Sequence, residues 1–238
     1  MITIEKSVNP SDTLHPTPWE EIFRWRDTMS INNQVKTFPP VTKLYIKGEN
    51  VLLNKPNKPR VLIIGNNDNT EYGKNCTLRI IKALANNPLK PVILSGLSSG
   101  ISTIAHETAL AVGLPTVAVL PVDLDNVYPH KNKDLAKRIV DSGNGCLITP
   151  FEKGTKADIN NFFIRNRTMA LMADFVIVVE SRSKGHSFMT AKFASMNSCP
   201  VLAIPNNISE KRSQGCLELI MNKHAEILYD FDLLEHLS

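Results

Sequence analysis

Residues 92–100 read Val-Ile-Leu-Ser-Gly-Leu-Ser-Ser-Gly, an apolar segment followed by a polar loop with a glycine near each end. A helical pattern of apolar residues follows at once, over residues 101–112. Glycine lets the backbone turn tightly and approach an anion closely, and the free N–H groups that open a helix favour negative charge. The stretch therefore predicts a strand, a phosphate-binding loop and a helix.

The same alternation of short apolar runs and helical patterns continues from residue 61 onward. The predicted strands are 61–65, 92–95, 116–120, 146–149, 175–179, 200–204 and 226–229. The predicted helices lie near 74–86, 101–112, 132–141, 159–172, 187–197 and 214–223, and a short helix closes the chain at 231–237. Continuous Val, Ile and Leu strands separated by helices indicate a parallel sheet that is covered on both faces. We therefore predict a doubly wound, mainly parallel α/β domain over residues 41–238.

The first 40 residues have a different composition, rich in proline and polar residues. One amphipathic stretch, from Trp19 to Met29, predicts a helix, and a linker follows through Pro39 and Pro40. Its exposed-looking tryptophans either pack on the main domain or bind a partner, and packing is the commoner outcome. The predicted organisation is a short N-terminal helical extension and linker over 1–40, followed by the α/β domain.

The composition bounds the class of protein. A chain of 238 residues with 42% hydrophobic content can bury one large core. No apolar run approaches the roughly 20 residues that span a bilayer, and the N-terminus lacks the pattern of an export signal. We expect a cytoplasmic protein with no membrane partner. The four cysteines are far apart, without zinc spacing, and predict buried thiols and no metal site.

Common catalytic and cofactor motifs are missing from the sequence. The turn at residues 65–69 lacks the GxGxxG spacing of dinucleotide enzymes, and no HExxH, GxSxG or Walker A sequence occurs. We therefore predict no catalytic residues and no cofactor. Several residues keep two interpretations. His106 is either structural or close to the site, and the loop with Asp123, Asp125 and Tyr128 either positions a ligand or caps itself.

Three polar segments each follow a predicted strand or lie in the helix that leads to one. They are residues 96–100, 165–167 and 181–187. Because the carboxyl ends of parallel strands meet at one edge of a sheet, these segments predict a single anion site there. Arg165 and Arg167 point about 200° apart on a helix, so only one of them can face the site. Ser187 either binds phosphate or simply caps a helix. The candidate phosphate-binding residues are Gly96, Ser98, Ser99, Gly100, Arg165, Arg167, Lys184, Gly185 and Ser187.

Taken in order and spacing, several fragments of the chain resemble the DNA-processing protein A family, DprA or Smf. The resemblance runs from about Leu44 to the C-terminal region. The matching fragments are Leu44–Gly48, Tyr72-Gly73, Ser95–Ser102, Ala105-His106, Val117–Leu120, Leu124-Asp125, Tyr128-Pro129, Phe163, Arg165–Arg167, Val178–Glu180, Thr190-Ala191 and Ala203–Pro205. Each fragment is weak alone, and their combination is specific.

The resemblance implies an extended Rossmann-like fold, a homodimer, and binding of single-stranded DNA. It further implies that the protein loads a RecA-type recombinase onto that DNA, in transformation or recombination, and is not an enzyme. The chain also departs from the family pattern. Ser99 and Ser102 replace an arginine and an aspartate, and Gly185-His186-Ser187 replaces a Ser-Gly-Ser tripeptide. We also expect the protein to lack the C-terminal winged-helix domain that many members carry.

A second interpretation stays open, that of a nucleotide-binding sensor or a phosphoribohydrolase-like enzyme on the same fold. Its PGGxGT motif is absent from the chain. Glu180, however, follows a predicted strand at roughly the place where such an enzyme carries its glutamate. The surroundings of Glu180 discriminate between the two interpretations.

Overall fold

The computed structural model of the chain describes residues 2–5, 29–31, 34–36, 41, 43–51 and 57–236. Within these residues, nine strands form one sheet. In spatial order they are β1 (Ile2–Glu5), β4 (Lys43–Gly48), β8 (Gly145–Thr149), β7 (Thr116–Val119), β6 (Val92–Ser95), β5 (Arg60–Ile64), β9 (Phe175–Val178), β10 (Val201–Ala203) and β11 (Glu226–Ile227). A separate antiparallel pair consists of β2 (Met29–Ile31) and β3 (Gln34–Lys36).

Helices connect the strands of the large sheet. They are α1 (Glu71–Asn86), α2 (Ile101–Ala111), α3 (Lys133–Asp141), α4 (Ile159–Met172), α5 (His186–Met196) and α6 (Gln214–Met221). Short 3₁₀ turns at His130–Asn132 and Asp232–His236 complete the helical content of the described residues. No helix within the described ranges is long and apolar enough to cross a membrane.

The order of the strands fixes where a ligand binds. The chain builds β5 to β8 outward in one direction, then crosses over through α4 and places β9 to β11 on the other side of β5. In the spatial order given above, every neighbouring pair from β8 through β5 to β11 is parallel. The strands β4 and β1 are antiparallel additions at the β8 edge. The direction of winding therefore reverses between β5 and β9. In open α/β sheets, ligands bind outside the carboxyl ends of the strands at such a point.

Helices cover both faces of the sheet, which confirms the predicted doubly wound, mainly parallel fold. On β5, Val61 and Ile63 pack with residues of α1 and α2 on one face. Leu62 and Ile64 pack with residues of α4 and α5 on the other. The helix α3 packs on β7 and β8 in a third buried cluster. Because both faces are covered, the side chains on either side of a strand are buried. The strands are therefore continuous apolar runs and do not alternate between apolar and polar residues.

The bounds of the elements agree closely with those predicted, apart from the start of the first helix. Helix α1 begins at Glu71 because Thr70 caps it, its hydroxyl accepting a hydrogen bond of 2.9 Å from the Gly73 N–H. The strand that the family resemblance placed at residues 44–48 is β4. The four cysteines are buried and free, as expected.

The N-terminal residues are only partly described. The amphipathic helix predicted from Trp19 lies outside the described residues up to residue 28, and Met29, its predicted last residue, instead begins β2. The strand β1 pairs with β4, so residues 2–5 contribute to the edge of the main sheet. The division of the chain at residue 40 stays a prediction.

Candidate functional site

A pocket of about 300 Å³ opens at the carboxyl edge of the sheet, beside the point where the winding reverses. Its walls come from the ends of β5 and β6 and the residues that follow them, from the loop after β7, from one face of α4, and from the start of α5. Each wall segment follows a strand or opens the helix after one. The pocket therefore lies where the fold predicts a ligand.

One face of α4 forms the inner wall. Phe162, Arg165, Asn166 and Met169 all line the pocket, and their spacing of three, one and three residues places them on one side of a helix. Arg167 lies on a different side of α4. It is buried, does not line the pocket, and has an interaction partner of its own. Arg165 is thus the arginine that faces the pocket.

Arg165 is a buried cation with few hydrogen bonds. Its residue is only 5% exposed. One terminal nitrogen, Nη1, donates to the Gly96 carbonyl at 2.8 Å, and Nη2 lies 3.5 Å from Ser98 Oγ. The Nε–H has no acceptor among the described residues. The ring of Phe162 packs 5.6 Å from the guanidinium carbon.

No carboxylate compensates the charge of Arg165 within the part of the chain that the structure describes. The pocket contains no Asp or Glu, and Arg165 takes part in no salt bridge there. Burial lowers the pKa of Arg165 to about 10, so the group remains charged at neutral pH. A buried charge without a partner is costly, and an anion that enters the pocket removes that cost. The electrostatics of the pocket favour an anionic ligand.

Gly96 makes room for this arginine. A Cβ atom built at Gly96 would overlap Nη1 of Arg165. Gly100 has a related role behind the loop, with φ +68° and a position at which a Cβ atom would collide with the carbonyl oxygens of Asn66 and Asn67. The absence of a side chain at these two glycines thus lets other parts of the protein approach the loop backbone closely. The sequence predicted that they admit a ligand.

We expect Gly96→Ala to destabilise the protein by about 1–3 kcal/mol, because the new methyl group overpacks the site around Arg165. The cost should fall sharply in an Arg165→Met background, where a flexible thioether replaces the fixed guanidinium. Urea unfolding of the two single variants and the double variant measures this coupling. The cycle provides its own control, because any cost of the new methyl group that does not involve Arg165 is the same in both backgrounds. Purely additive effects of Gly96→Ala and Arg165→Met would contradict the assignment.

Several hydroxyl groups near the pocket hold its loops in place. Ser95 Oγ donates to the Ile63 carbonyl at 2.6 Å, and Ser102 Oγ accepts from the Gly96 N–H at 3.0 Å. Ser187 Oγ donates to the Gly65 carbonyl at 2.8 Å. These bonds tie the ends of β5 and β6 to α2 and α5. The sequence left Ser187 open between ligand and cap, and its hydroxyl here bonds to the β5 loop.

Other polar groups of the pocket are available to a ligand. The side chains of Ser99 and Asn166 line it and make no hydrogen bond to another described residue. Over residues 98–100, the backbone N–H groups likewise donate to no acceptor in the described ranges. Helix α2 begins directly after them and has no side-chain cap. Together with Arg165, these donors match the oxygens of a phosphate group.

The structure divides the predicted site residues into two groups. The pocket brings together Gly96, Ser98, Ser99, Arg165 and Ser187. The predicted residues that do not line it are Gly100, Arg167, Lys184 and Gly185. Lys184 and Gly185 line a neighbouring groove.

The pocket also has lining residues that were not among the predicted phosphate ligands, and three of them used below are Phe162, Asn166 and His186. The first two lie three residues before and one residue after Arg165, and that helical spacing was the available indication. His186 lies in the polar segment 181–187 that was assigned to the anion site, but its ring was not singled out there.

The residues that the sequence left open have structural partners. His106 is fully buried outside the pocket, and its Nδ1 lies 2.8 Å from Thr116 Oγ1. Asp123 accepts hydrogen bonds from the backbone of Asn126 and Gly154 and thereby closes its own loop. Glu180 accepts from the N–H of Thr70 at 2.9 Å and also from its hydroxyl, at the start of α1. Glu180 does not line the pocket.

Comparison with known proteins agrees with the fold and with the family resemblance of the sequence. A family model for DNA recombination-mediator protein A matches residues 27–238. The DNA processing protein DprA of Streptococcus pneumoniae is 35% identical over 178 residues, which are 74% of this chain and 60% of that protein. The DprA of Bacillus subtilis is 28% identical over 200 residues, 84% of this chain and 65% of that protein.

Solved structures give the same result. DNA processing protein A of Helicobacter pylori, in a structure concerned with its single-stranded DNA binding mode, superimposes with a TM-score of 0.74 at 28% identity, covering 90% of this chain and 96% of that one. The S. pneumoniae DprA structure also gives 0.74, at 30% identity, covering 83% of this chain and 67% of that one. With the family model matching most of its length, the chain belongs to the DNA recombination-mediator protein A family, DprA.

Proposed function

We propose that the chain binds single-stranded DNA through its phosphates and acts in transformation or recombination. The buried, uncompensated charge of Arg165 at the inner wall of the pocket carries this proposal. A phosphate that accepts hydrogen bonds from the guanidinium would supply the missing negative charge. Charge-assisted bonds of this kind are roughly twice as strong as neutral ones.

The position of Arg165 also favours a single strand over a duplex. Its guanidinium is buried, so a phosphate must bend into the pocket to reach it. A flexible single strand bends at low cost, whereas the backbone of a duplex is held by base pairing. Open donors at Ser99 and Asn166 provide further contacts to the strand.

The relatives support the same function, as far as the chain matches them. The H. pylori protein binds single-stranded DNA, and the S. pneumoniae and B. subtilis proteins process DNA. The chain spans 44% of the length of the Synechocystis relative and 65% of the B. subtilis relative. Our proposal for the whole protein includes a homodimer and the loading of a RecA-type recombinase onto the bound strand. Filament assembly of the recombinase on coated DNA tests that step.

The runner-up function, a nucleotide sensor or a phosphoribohydrolase-like enzyme, has weaker support. A hydrolase of that kind needs a carboxylate at the pocket, and no described residue supplies one there. Glu180, the candidate from the sequence, is held by Thr70 instead. We therefore propose that the protein binds and does not catalyse.

We expect the protein to bind single-stranded DNA more tightly than duplex of equal length, with an affinity that falls steeply as salt increases. The logarithm of the binding constant should fall against the logarithm of the salt concentration with a slope of about −0.7 per phosphate neutralised. Fluorescence anisotropy with a labelled oligothymidylate measures both quantities. An affinity independent of salt, or no binding at about 50 mM salt, would contradict the proposal.

Competition separates the proposed function from the runner-up. Unlabelled single-stranded DNA should displace the labelled strand at much lower phosphate concentration than a panel of mononucleotides does. A DNA strand makes several phosphate contacts at once, and a mononucleotide fills only the pocket. Tight mononucleotide binding with weak DNA binding would favour the sensor.

A further inference from the structure

Aromatic rings lie in a row at the mouth of the pocket around Arg165, which we call the phosphate pocket. The rings of Tyr128 and Phe162 meet edge to face with centroids 5.7 Å apart. The ring of His186 lies 6.4 Å from Phe162 and 5.8 Å from Phe163, tilted by 47° to both. Tyr128 and His186 are exposed, and Phe162 and Phe163 are half-buried. Each ring thus keeps part of its surface open to solvent.

His186 stands at the junction of two depressions. It lines the phosphate pocket together with Phe162, and it also lines the neighbouring groove together with Phe163. That groove runs between α4 and α5 and combines apolar walls, which include Phe188, with the amino groups of Lys184 and Lys192. Glu218, Asn222 and His224 are its remaining polar residues. A strand that leaves the phosphate pocket over His186 enters an apolar and basic groove.

We propose that His186 and Phe163 form a nucleobase subsite, in which the base next to the phosphate at Arg165 stacks on the His186 ring. The proposal rests on the proposed function, because the phosphate at Arg165 places the nucleotide. Stacking on aromatic side chains tolerates any base, since every base has a π-face. Lys184 and Lys192 would then meet the following phosphate. Lys184, which lies outside the phosphate pocket, thereby acquires a role.

The charge state of His186 fits a stacking ring. Partial burial lowers the pKa of His186 below its ordinary value, and the nearby positive charge of Arg165 lowers this pKa further. The imidazole is therefore neutral at pH 7 to 8 and offers a planar face. The groups that contact the ring or act on its charge are the rings of Phe162 and Phe163 and the cation of Arg165. The titratable residues that share the groove with His186 are Lys184, Lys192, His224 and Glu218, and the carboxylate of Glu218 accepts a hydrogen bond from the Ser183 hydroxyl.

Oligonucleotides with and without bases test this proposal. Binding of an oligothymidylate and of an abasic strand of the same length is measured at pH 8 for the parent, His186→Ala and His186→Phe. We expect His186→Ala to weaken oligothymidylate binding about tenfold and to leave abasic binding unchanged, because stacking requires the base. His186→Phe should restore parental affinity. His186 is exposed at the start of α5, and thermal unfolding checks that both variants keep the fold.

Each outcome decides between distinct alternatives. If His186→Ala weakens both strands equally, His186 contacts the backbone and the base subsite is wrong. Equal binding by the parent and His186→Ala on both strands overturns it as well, and so does failure of His186→Phe to restore affinity. If the parent binds neither strand, the proposed function itself fails, and that result is distinct from loss of the base preference alone.

Discussion

Arg165→Met should weaken single-stranded DNA binding by about 10- to 100-fold and leave the protein at least as stable as the parent. The binding loss follows from removing a charged donor, whose hydrogen bonds contribute about 1.5–3 kcal/mol. The stability gain follows because the parent buries this guanidinium without a carboxylate, and an apolar side chain of similar length removes that cost. The lost bond to the Gly96 carbonyl offsets part of the gain.

Anisotropy titrations and urea unfolding measure the two effects on the same protein samples. Arg138→Met is the matched control, since Arg138 is an exposed residue of α3 that pairs with Glu107 of α2 at the surface. It should change DNA affinity by less than about twofold if screening reduces a distant surface charge as expected. A large loss of stability in Arg165→Met, with binding retained, would show that this arginine is structural.

The second large effect is an acid-sensitive stability that depends on His106. Complete burial lowers the pKa of His106 to about 3, whereas the unfolded chain has an ordinary value near 6.5. Below pH 6.5 the unfolded state binds a proton that the folded state does not. This residue therefore contributes full stability above about pH 6.5 and loses about 1.4 kcal/mol per pH unit as the pH falls toward 3. At pH 5 the loss is about 2 kcal/mol.

Urea unfolding between pH 5 and pH 8 measures the slope for the parent and for His106→Gln. The glutamine amide keeps a polar partner for Thr116 Oγ1 and cannot titrate. Its slope should be flatter by the amount that His106 contributes, whatever its absolute stability. Proton NMR of the folded parent gives a second measurement. A His106 imidazole that titrates near pH 6.5 in the folded protein would refute the prediction.

Most of the fold could be predicted from the sequence, because the strands are buried on both faces and therefore apolar without interruption. The strand β6 and the helix α4 have the bounds that were predicted. The antiparallel strands β1 and β2 were not predicted from residue patterns, since they mix polar and apolar residues and form no continuous apolar run. The strand order was not predicted, because no single segment determines which strands become neighbours in the sheet.

The candidate site was predicted less well, because sequence spacing gives the position of a loop but not the direction of its side chains. The opposed geometry of Arg165 and Arg167 was foreseen, and only the packing of α4 shows which of them faces the pocket. Gly96 was predicted to let the backbone approach a ligand, and the structure adds a second requirement for glycine, since a Cβ atom there would overlap Arg165, 69 residues away in the chain. His186 looked like a departure from a motif, and its ring neighbours come from α4, which only the fold brings near.

The walls of the phosphate pocket come from chain segments that are far apart, beginning at Ile64 and ending at Thr190. A chain with part of its sheet unfolded therefore has no site, and under the proposed function DNA would bind only the complete native state. By mass action such a ligand raises the free energy of global unfolding, by about 2.7 kcal/mol when its concentration is a hundred times its dissociation constant. The bound strand thus protects the protein against proteolysis through global unfolding. We therefore expect that, under the proposed function, DNA-bound copies would be degraded more slowly than free copies.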